Sequence, residues 1–334
     1  MSLLITHIDD DGKAAAAIAY REMFPFDLRP MPEDIIFYNY QDTPICPDRE
    51  FFAGEKVVLV DISINDHIFD LVKRAVDAGC QVIHIDHHET TTKFIDNITP
   101  EQKAVYDKVY TFFHQAFSAT LLCWIWASAH PDERADIYNT VANVIDFSAD
   151  WTLLAFYPGT DKERIYRIPD VVRYVNDWDI WKFEIADTKA FHYGFDLEME
   201  KNPDAKLWDE LIYNAMAPMI IGKKYLEPGR IIEKCKESEY AMLRRKAFDA
   251  KIPGYDNLSC IAINGISSSF AFGDMIDTYD VAVLFHYDGP DHTWKYSIYS
   301  GENSEVDVST IAKFFGGGGH KHASGFRTGS CILA

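Results

Sequence analysis

Three short apolar runs in this chain each end in side chains that bind metals. Val82-Ile83-His84-Ile85 runs into Asp86-His87-His88, Leu3-Leu4-Ile5 leads through Thr6-His7-Ile8 to Asp9-Asp10-Asp11-Gly12, and Val57-Val58-Leu59-Val60 ends at Asp61. Read as buried strands, the three runs deliver acids and imidazoles to one edge. Carboxylates gathered there without partners repel one another and are costly to keep ionised in a partly desolvated cleft, and a divalent cation removes that cost. Carboxylate with imidazole suits Mn²⁺, Mg²⁺, Zn²⁺ or Fe²⁺. One carboxylate shared between two ions roughly 4 Å apart makes a hydrolytic centre whose natural chemistry is phosphoester cleavage.

Each motif has a structural alternative. Asp9 and Asp11 stand two residues apart, on one side of an extended segment together with His7, so both can reach one ion or bridge two. Asp9 is equally a helix cap ahead of Lys13. Asp61 alone would be an ordinary strand-end acid. His87 and His88 are adjacent and should point to opposite sides of an extended segment, one ligating and the other meeting phosphate. His84, within its apolar run, reads as a core histidine. The run Gly316-Gly317-Gly318-Gly319 with His320, Lys321 and His322, followed by Ala323-Ser324-Gly325, reads as a loop whose backbone N–H groups can approach phosphate oxygens. Val175-Asn176-Asp177-Trp178-Asp179-Ile180-Trp181 offers two acids and two indoles at a helix end, the indoles stacking a base or packing a domain junction. Asp146 and Asp150 compete for the last ligand position, and 196–200 reads as solvated acidic surface.

The elements that must position these residues follow from periodicity. Strand-like runs at 3–8, 35–40, 57–61 and 82–86 alternate with helix-like runs at 13–23, 66–78 and 118–129, the pattern of an α/β domain with a largely parallel sheet and flanking helices. In such sheets ligands bind at the carboxyl ends of the strands, the edge where the acids lie. Further helices are expected over 136–146 and 169–177. Breakers at Asn202-Pro203, Ala217-Pro218 and Glu227-Pro228-Gly229 divide the chain into a catalytic domain over 1–190, a connecting region over 191–228 and a smaller α/β domain over 229–334, with a cleft between the domains. The latter is expected to hold a long helix over 230–250, strands at 258–264, 280–287 and 294–300, and a helix near 307–315.

At 334 residues with 48% hydrophobic residues, the chain is long enough for two domains. Its 32 Lys+Arg against 52 Asp+Glu give a net charge of −20, which argues against a stable complex with long nucleic acid through a broad basic surface and leaves a short anionic ligand admissible. The six cysteines include no CxxC pair, so reduced thiols are expected. No signal-peptide pattern opens the chain and no apolar run suffices to span a bilayer, so the expectation is a soluble, cytoplasmic protein without membrane partners; a homodimer is compatible with this reading.

Taken in order, Thr6-His7-Ile8-Asp9-Asp10-Asp11-Gly12, the strand ending in Asp61, Asp86-His87-His88 and the segment from Gly317 to Gly325 resemble the motifs of the DHH phosphoesterases that carry a DHH-associated C-terminal domain. The resemblance spans nearly the whole chain. It implies two divalent ions, manganese first and magnesium next, and hydrolysis of phosphodiester or phosphoanhydride bonds. Carried over by motif, it implies Asp9, Asp11 and His87 as metal ligands, Asp61 as the bridging carboxylate, His7 as a further ligand, and Asp86 and His88 as catalytic residues, with His88 on the scissile phosphate. Asp177, with Asp179 close behind, matches the fourth-motif acid. Ser118 in Phe117-Ser118-Ala119-Thr120 matches a helix start near the site and is implied as a substrate-binding residue, as are Gly317, Gly318, Gly319, His320 and Lys321 of the matching C-terminal segment. Where many members have an arginine gripping a phosphate, this chain has Tyr299, implied as a substrate-binding residue that hydrogen-bonds a phosphate or stacks a base but lacks the charge and the bidentate fork. The expected function is a metal-dependent phosphodiesterase, of exonuclease type, that converts short oligonucleotides or linear or cyclic dinucleotides to mononucleotides. The alternatives are a polyphosphatase, a phosphoadenosine phosphate phosphatase, or a noncatalytic nucleotide-binding regulator.

Overall fold

The structure, a computed structural model, describes residues 2–39, 45–46, 48–128, 152–156 and 163–333. The helix expected over 136–146, Asp146 and Asp150 lie outside the described residues. Two compact units divide after Ile231, within the helix Glu227–Arg244.

In the first unit β1 (Ser2–His7), α1 (Asp10–Glu22), β2 (Ile35–Tyr38), β3 (Lys56–Val60), α2 (Asp66–Asp77) and β4 (Gln81–Asp86) follow in order. After them come α3 (Glu89–Asp96), α4 (Pro100–Tyr106), β5 (Tyr110–Phe113) and α5 (Ala119–Ser128). The five strands pair in parallel in the order β2-β1-β3-β4-β5. The chain therefore reverses its direction of travel between β1 and β3, the switch point at which open α/β sheets bind ligands. Registers that set Thr6 beside Val60, and Val60 beside Ile85, bring the three acid-bearing strand ends level.

Alternate residues of each strand serve opposite layers. Leu4, Val58, Val60, Ile83 and Ile85 pack with α1 and α5, whereas Leu3, Ile5, Val57, Leu59 and Val82 pack against Ile68, Leu71, Val72 and Ala75 of α2. The run Ala14–Ala17 is fully buried, and its methyl-sized side chains let α1 lie close to the sheet and to α5. The expected strands of the sheet are present within about two residues of their reading, whereas α1 begins at Asp10, three residues before the expected start at Lys13, because Asp9 caps it; the apolar patterns of α3, α4 and β5 are too short and interrupted to be read from sequence.

A hairpin of β6 (Thr152–Phe156) and β7 (Glu163–Arg167) precedes α6 (Asp170–Asp179) and α7 (Thr188–Phe195). The stretch read as a connecting region does not stand apart. Trp208, Leu211, Ile212, Ile221 and Tyr225 sit in the same core as α1 and α5. Arg21, with its side chain 8% exposed, reaches from α1 to Asp209, to the Pro203 carbonyl at 2.6 Å and to the Ala205 carbonyl at 2.8 Å.

The second unit is a six-stranded sheet in the order β12-β13-β11-β10-β9-β8, with β9 and β10 parallel and the other pairs antiparallel. These strands are β8 (Phe248–Ala250), β9 (Cys260–Asn264), β10 (Val281–Asp288), β11 (Thr293–Tyr299), β12 (Gly318–His320) and β13 (Ala323–Thr328), with a helix at Val308–Phe314. The helix expected to run to residue 250 stops at Arg244, and its last residues form β8 instead. The tetraglycine is likewise not an open loop: Gly318, Gly319 and His320 pair with Gly325, Ser324 and Ala323. Gly319, at φ 144°, could not carry a side chain there, since a Cβ would lie 2.6 Å from Ser324 Cα. Among the described residues no helix is long and apolar enough to cross a membrane.

Replacing Arg21 by Ala removes three bonds that pin the 203–209 segment to α1. A loss of about 2 kcal/mol of unfolding free energy is expected, read by urea denaturation of the metal-free protein; an unchanged midpoint would show that the segment is held by packing alone.

Candidate metal centre

The site lies wholly in the first unit, at the carboxyl ends of β1, β3 and β4. Asp9 caps α1, its Oδ1 accepting from the Gly12 N–H at 2.9 Å and its Oδ2 lying 2.7 Å from His7 Nδ1. Thr6 Oγ1 donates to the Gly12 carbonyl at 2.6 Å. The turn tolerates only glycine at residue 12, because a Cβ there would lie 2.5 Å from the His7 carbonyl oxygen. The two sequence readings of Asp9, cap and ligand, thus describe one carboxylate with two jobs available to it.

Asp11 is buried in the first turn of α1, and its carboxylate accepts the N–H groups of Ala119 at 2.8 Å and Thr120 at 2.9 Å. These amides open α5, so the positive end of that helix dipole faces the acid. Thr120 Oγ1 also bonds the Asp11 carbonyl at 2.9 Å. Ser118, expected to touch substrate, is 0% exposed. Its N–H donates to Asn176 Oδ1 at 2.9 Å, and its hydroxyl accepts from Leu121 N–H at 3.4 Å. It therefore builds the helix start that holds Asp11 and presents nothing to a ligand.

Asp61 follows β3 with φ 58°, a left-handed conformation that costs energy for a residue with a side chain and is typically retained where function needs it. The loop behind it is tied on both sides. His84, fully buried, contacts Tyr106 Oη and the Ile62 carbonyl, each at 2.7 Å, while Thr91 Oγ1 accepts from Ile64 N–H at 3.2 Å. His84 is thus the satisfied core histidine the sequence suggests.

Asp86 is buried, with one oxygen 2.7 Å from His88 Nδ1 and the other accepting from Thr91 Oγ1 at 2.5 Å. Burial raises its pKa, but these two bonds and the His88 charge outweigh it and bring it down to about 2. Both oxygens are committed, so Asp86 orients His88 and does not itself face a reacting group. The rings of His87 and His88 lie 4.6 Å apart and both approach Asp61, His87 Nε2 at 3.3 Å and His88 Nδ1 at 3.8 Å. The expectation that they point to opposite sides fails because β4 ends at Asp86 and His88 already caps α3.

The acid that α6 brings to this cluster is Asp179. His87 Nε2 lies 3.4 Å from its Oδ2 and 3.8 Å from Asp11 Oδ2. Asp177 is turned away. It accepts from the amides of Glu184 at 2.9 Å and Ile185 at 3.1 Å and from the Thr188 hydroxyl, closing the turn between α6 and α7. Two positions along a helix rotate a side chain by about 200°, so the two acids cannot share a face.

The result is two groups of ligand-type atoms, each within 4.8 Å of one another: His7, Asp9 and Asp61 in one, and Asp11, His87 and Asp179 in the other. Asp61, through its other oxygen, also groups with His87 and His88. Burial, then the charges of Asp11, Asp9 and Asp86, push the Asp61 pKa well up. Burial and Asp11 do the same to Asp179, against the pull of His87. Burial lowers the His87 pKa, but Asp179, Asp11, Asp86 and Asp9 together raise it. At Asp9, burial is overcome by the His7 bond and charge, and the pKa falls. Asp61 Oδ2 and Asp179 Oδ2 are buried without a hydrogen-bond partner among the described residues. Orphaned carboxylate oxygens in a ring of acids are what a divalent ion satisfies, so the donor set fits two oxygen-loving ions sharing Asp61.

A cleft of about 310 Å³ adjoins the cluster, lined by Asp9, Asp11, Asp179, Lys13, Trp178 and His192 among others. Its far wall holds a group that the sequence reading missed: Asp10, His192 and Asp196, with Lys201 Nζ 2.7 Å from Asp10 Oδ1 and 4.0 Å from Asp196 Oδ1. The i,i+4 spacing of His192 and Asp196 was the available signal, lost by reading 196–200 as plain surface. Gly317, Gly318, Gly319, His320, Lys321 and Tyr299 belong to the second unit. There His320 and Lys321 are exposed, and Tyr299 is half-buried beside Phe272, its pKa raised by burial.

With this geometry in view, residues 2–133 match the N-terminal domain of the DHH family. An uncharacterized protein of Acanthamoeba polyphaga mimivirus is 29% identical over 170 residues, which cover 47% of this chain and 37% of that one, so the chain spans little more than a third of that relative's length. Among solved structures, the DHH domain of a member of a ribosomal-protein family covers 97% of this chain and 82% of its own, at 14% identity and a TM-score of 0.51. A pGpG-specific phosphodiesterase, PggH, from Vibrio cholerae covers 98% and 93%, at 13% identity and a TM-score of 0.45. At such identities the first of these structures establishes the shared fold. Asp179 lies beyond the matched DHH segment.

Two outcomes are expected. Asp179→Asn removes one repelling charge and so raises the thermal midpoint of the metal-free protein while lowering its Mn²⁺ stoichiometry in calorimetry. Asp177→Ala instead costs about 3 kcal/mol of stability through three lost bonds, and the reverse pattern would exchange their roles. The pH dependence has a definite sign. Raised folded-state pKa values at Asp61 and Asp179 give stability that is present below the ordinary carboxylate range and lost as pH rises through the raised values. The metal-free thermal midpoint should therefore fall as pH rises above the ordinary carboxylate range, and saturating Mn²⁺ should remove the decline.

Proposed function

We propose that the protein is a two-metal-dependent phosphodiesterase that hydrolyses short oligonucleotides or linear or cyclic dinucleotides to mononucleotides. The observation that carries this reading is the position of Asp61, whose two oxygens face different ligand groups. In this reading His7 and Asp9 would hold one ion and Asp11, His87 and Asp179 the other, with Asp61 available to both. Divalent ions would supply neutralisation of the charge on phosphate and an activated water for attack on phosphorus, and manganese and magnesium both suit these ligands.

The chain's own residues do the rest. Asp86 fixes the His88 ring through Nδ1, which directs the other ring nitrogen away from that bond and offers it to a phosphate oxygen. The α5 amides hold Asp11 in one rotamer, and the strained Asp61 backbone holds the shared carboxylate. Attack of water on phosphorus breaks the bond to the leaving oxygen, which takes up a proton, while the other product keeps the phosphate. The second unit carries Gly317, Gly318, Gly319, His320 and Lys321, the segment that resembles the substrate-binding motif of a DHH-associated domain. The net charge of −20 favours short substrates over the tracking of long strands.

The test is hydrolysis, with Mn²⁺, of a panel containing a dinucleotide, a short RNA, a long single-stranded DNA, a cyclic dinucleotide and polyphosphate. Cleavage of the short nucleotide species should fall at least about 100-fold in Asp61→Ala. Cleavage of polyphosphate alone, or of nothing by protein with metal bound, would defeat the proposal.

A further inference from the structure

The cleft beside the acid cluster has a second wall of a different character. Tyr174 and Trp178, one turn apart on α6, stack on Phe191 and His192 of α7, with ring centroids 4.8 Å apart at 12° for Tyr174 and Phe191, and 3.5 Å apart at 11° for Trp178 and His192. All four line the cleft. Phosphate chains have no flat face to bury against such a wall, whereas nucleobases do, and base–aromatic stacking contributes about 1–3 kcal/mol per base.

The charges in the cleft are uneven. Asp9, Asp10, Asp11, Asp179 and Asp196 are opposed by two lysines, Lys13 and Lys201. Lys201 is engaged: its side chain is 8% exposed, bound to Asp10, and lies 4.2 Å from the Phe195 ring centroid. Lys13, half-buried one turn after Asp9, has no ion-pair partner among the described residues, although it stands amid acids. A cation left in this position is available to a phosphate brought in from outside. The volume of about 310 Å³ is at the small end of ligand pockets, room for one nucleotide unit.

We infer that Tyr174, Trp178 and His192 with Lys13 form a subsite for a single nucleotide, the base against the rings and a phosphate on Lys13, next to the acid cluster. The inference rests on the phosphodiesterase reading above and deepens it: substrates are nucleotidic and are taken one unit at a time. Trp178, expected from sequence either to stack a base or to pack a domain junction, makes edge-to-face contacts within the first unit with Trp181, Phe183 and Tyr193, and the inference adds base stacking to that packing.

The experiment compares, with Mn²⁺ and the full chain, a phosphorylated dinucleotide and its analogue lacking the base at the terminal unit. In parallel, calorimetry compares binding of adenosine monophosphate with ribose phosphate. The wild type should prefer the base-bearing member of each pair about tenfold or more. That ratio should collapse toward unity in Trp178→Leu and in His192→Ala, the second variant serving should the first not fold. Lys13→Met should raise KM about tenfold for both dinucleotides, with kcat little changed. No preference in the wild type, or a preference that survives both ring variants, overturns the subsite. Absence of hydrolysis with the calorimetric preference intact defeats the phosphodiesterase reading and leaves the subsite standing.

Discussion

Carboxylates crowded at the end of a parallel sheet repel one another, and much of the first unit is arranged to hold them together. Asp9, Asp11, Asp61 and Asp179 come from a strand end, a helix start, a left-handed turn and a distant helix, and His87 Nε2 lies within 4 Å of three of them. Each acid has its own restraint. For Asp11 it is the amide end of α5, for Asp9 a cap and a histidine, for Asp61 a backbone conformation locked by His84 and Thr91 behind the loop. The raised pKa values at Asp61 and Asp179 measure what remains uncompensated. A site of this kind stores electrostatic strain that a divalent ion relieves, so ion affinity and the cost of the metal-free fold are two faces of one quantity.

The polar residues around the cluster divide by what they touch. Asp86, His84, Ser118, Thr91 and Asp177 are buried and committed to other protein groups, and their effect on chemistry passes through the residues they orient. His88 combines both roles: Asp86 sets its ring, and the ring approaches Asp61.

How much of this was legible in the sequence follows from the range over which each rule acts. Strand ends are local: a short apolar run followed by acids is visible in a handful of residues, and the parallel-sheet rule then places three such ends together. The choice between Asp177 and Asp179 is a matter of helix phase relative to a core that sequence does not display: motif position favours Asp177, whereas Asp179 is the acid that approaches His87. Strand alternation does not set the orientation of the histidine pair, because β4 ends at Asp86. The tetraglycine was read as a loop because glycine suits one; its pairing with Gly325 and Ser324 depends on a partner segment that itself looked like loop. Segment 191–228 lacked periodicity and seemed a connector, yet Trp208, Leu211 and Tyr225 supply part of the main core.

The span of chain between the acid-holding partners has a kinetic meaning. Asp11 is gripped by residues 108 and 109 positions later, and the cluster is completed only by Asp179. Closing so long a loop is slow compared with forming α1 or its neighbouring strands. A nascent chain on the ribosome therefore displays Asp9 and Asp11 long before it can coordinate anything with them. An ion held by the whole cluster would consequently load late in the life of each molecule, as a report that the unit has folded.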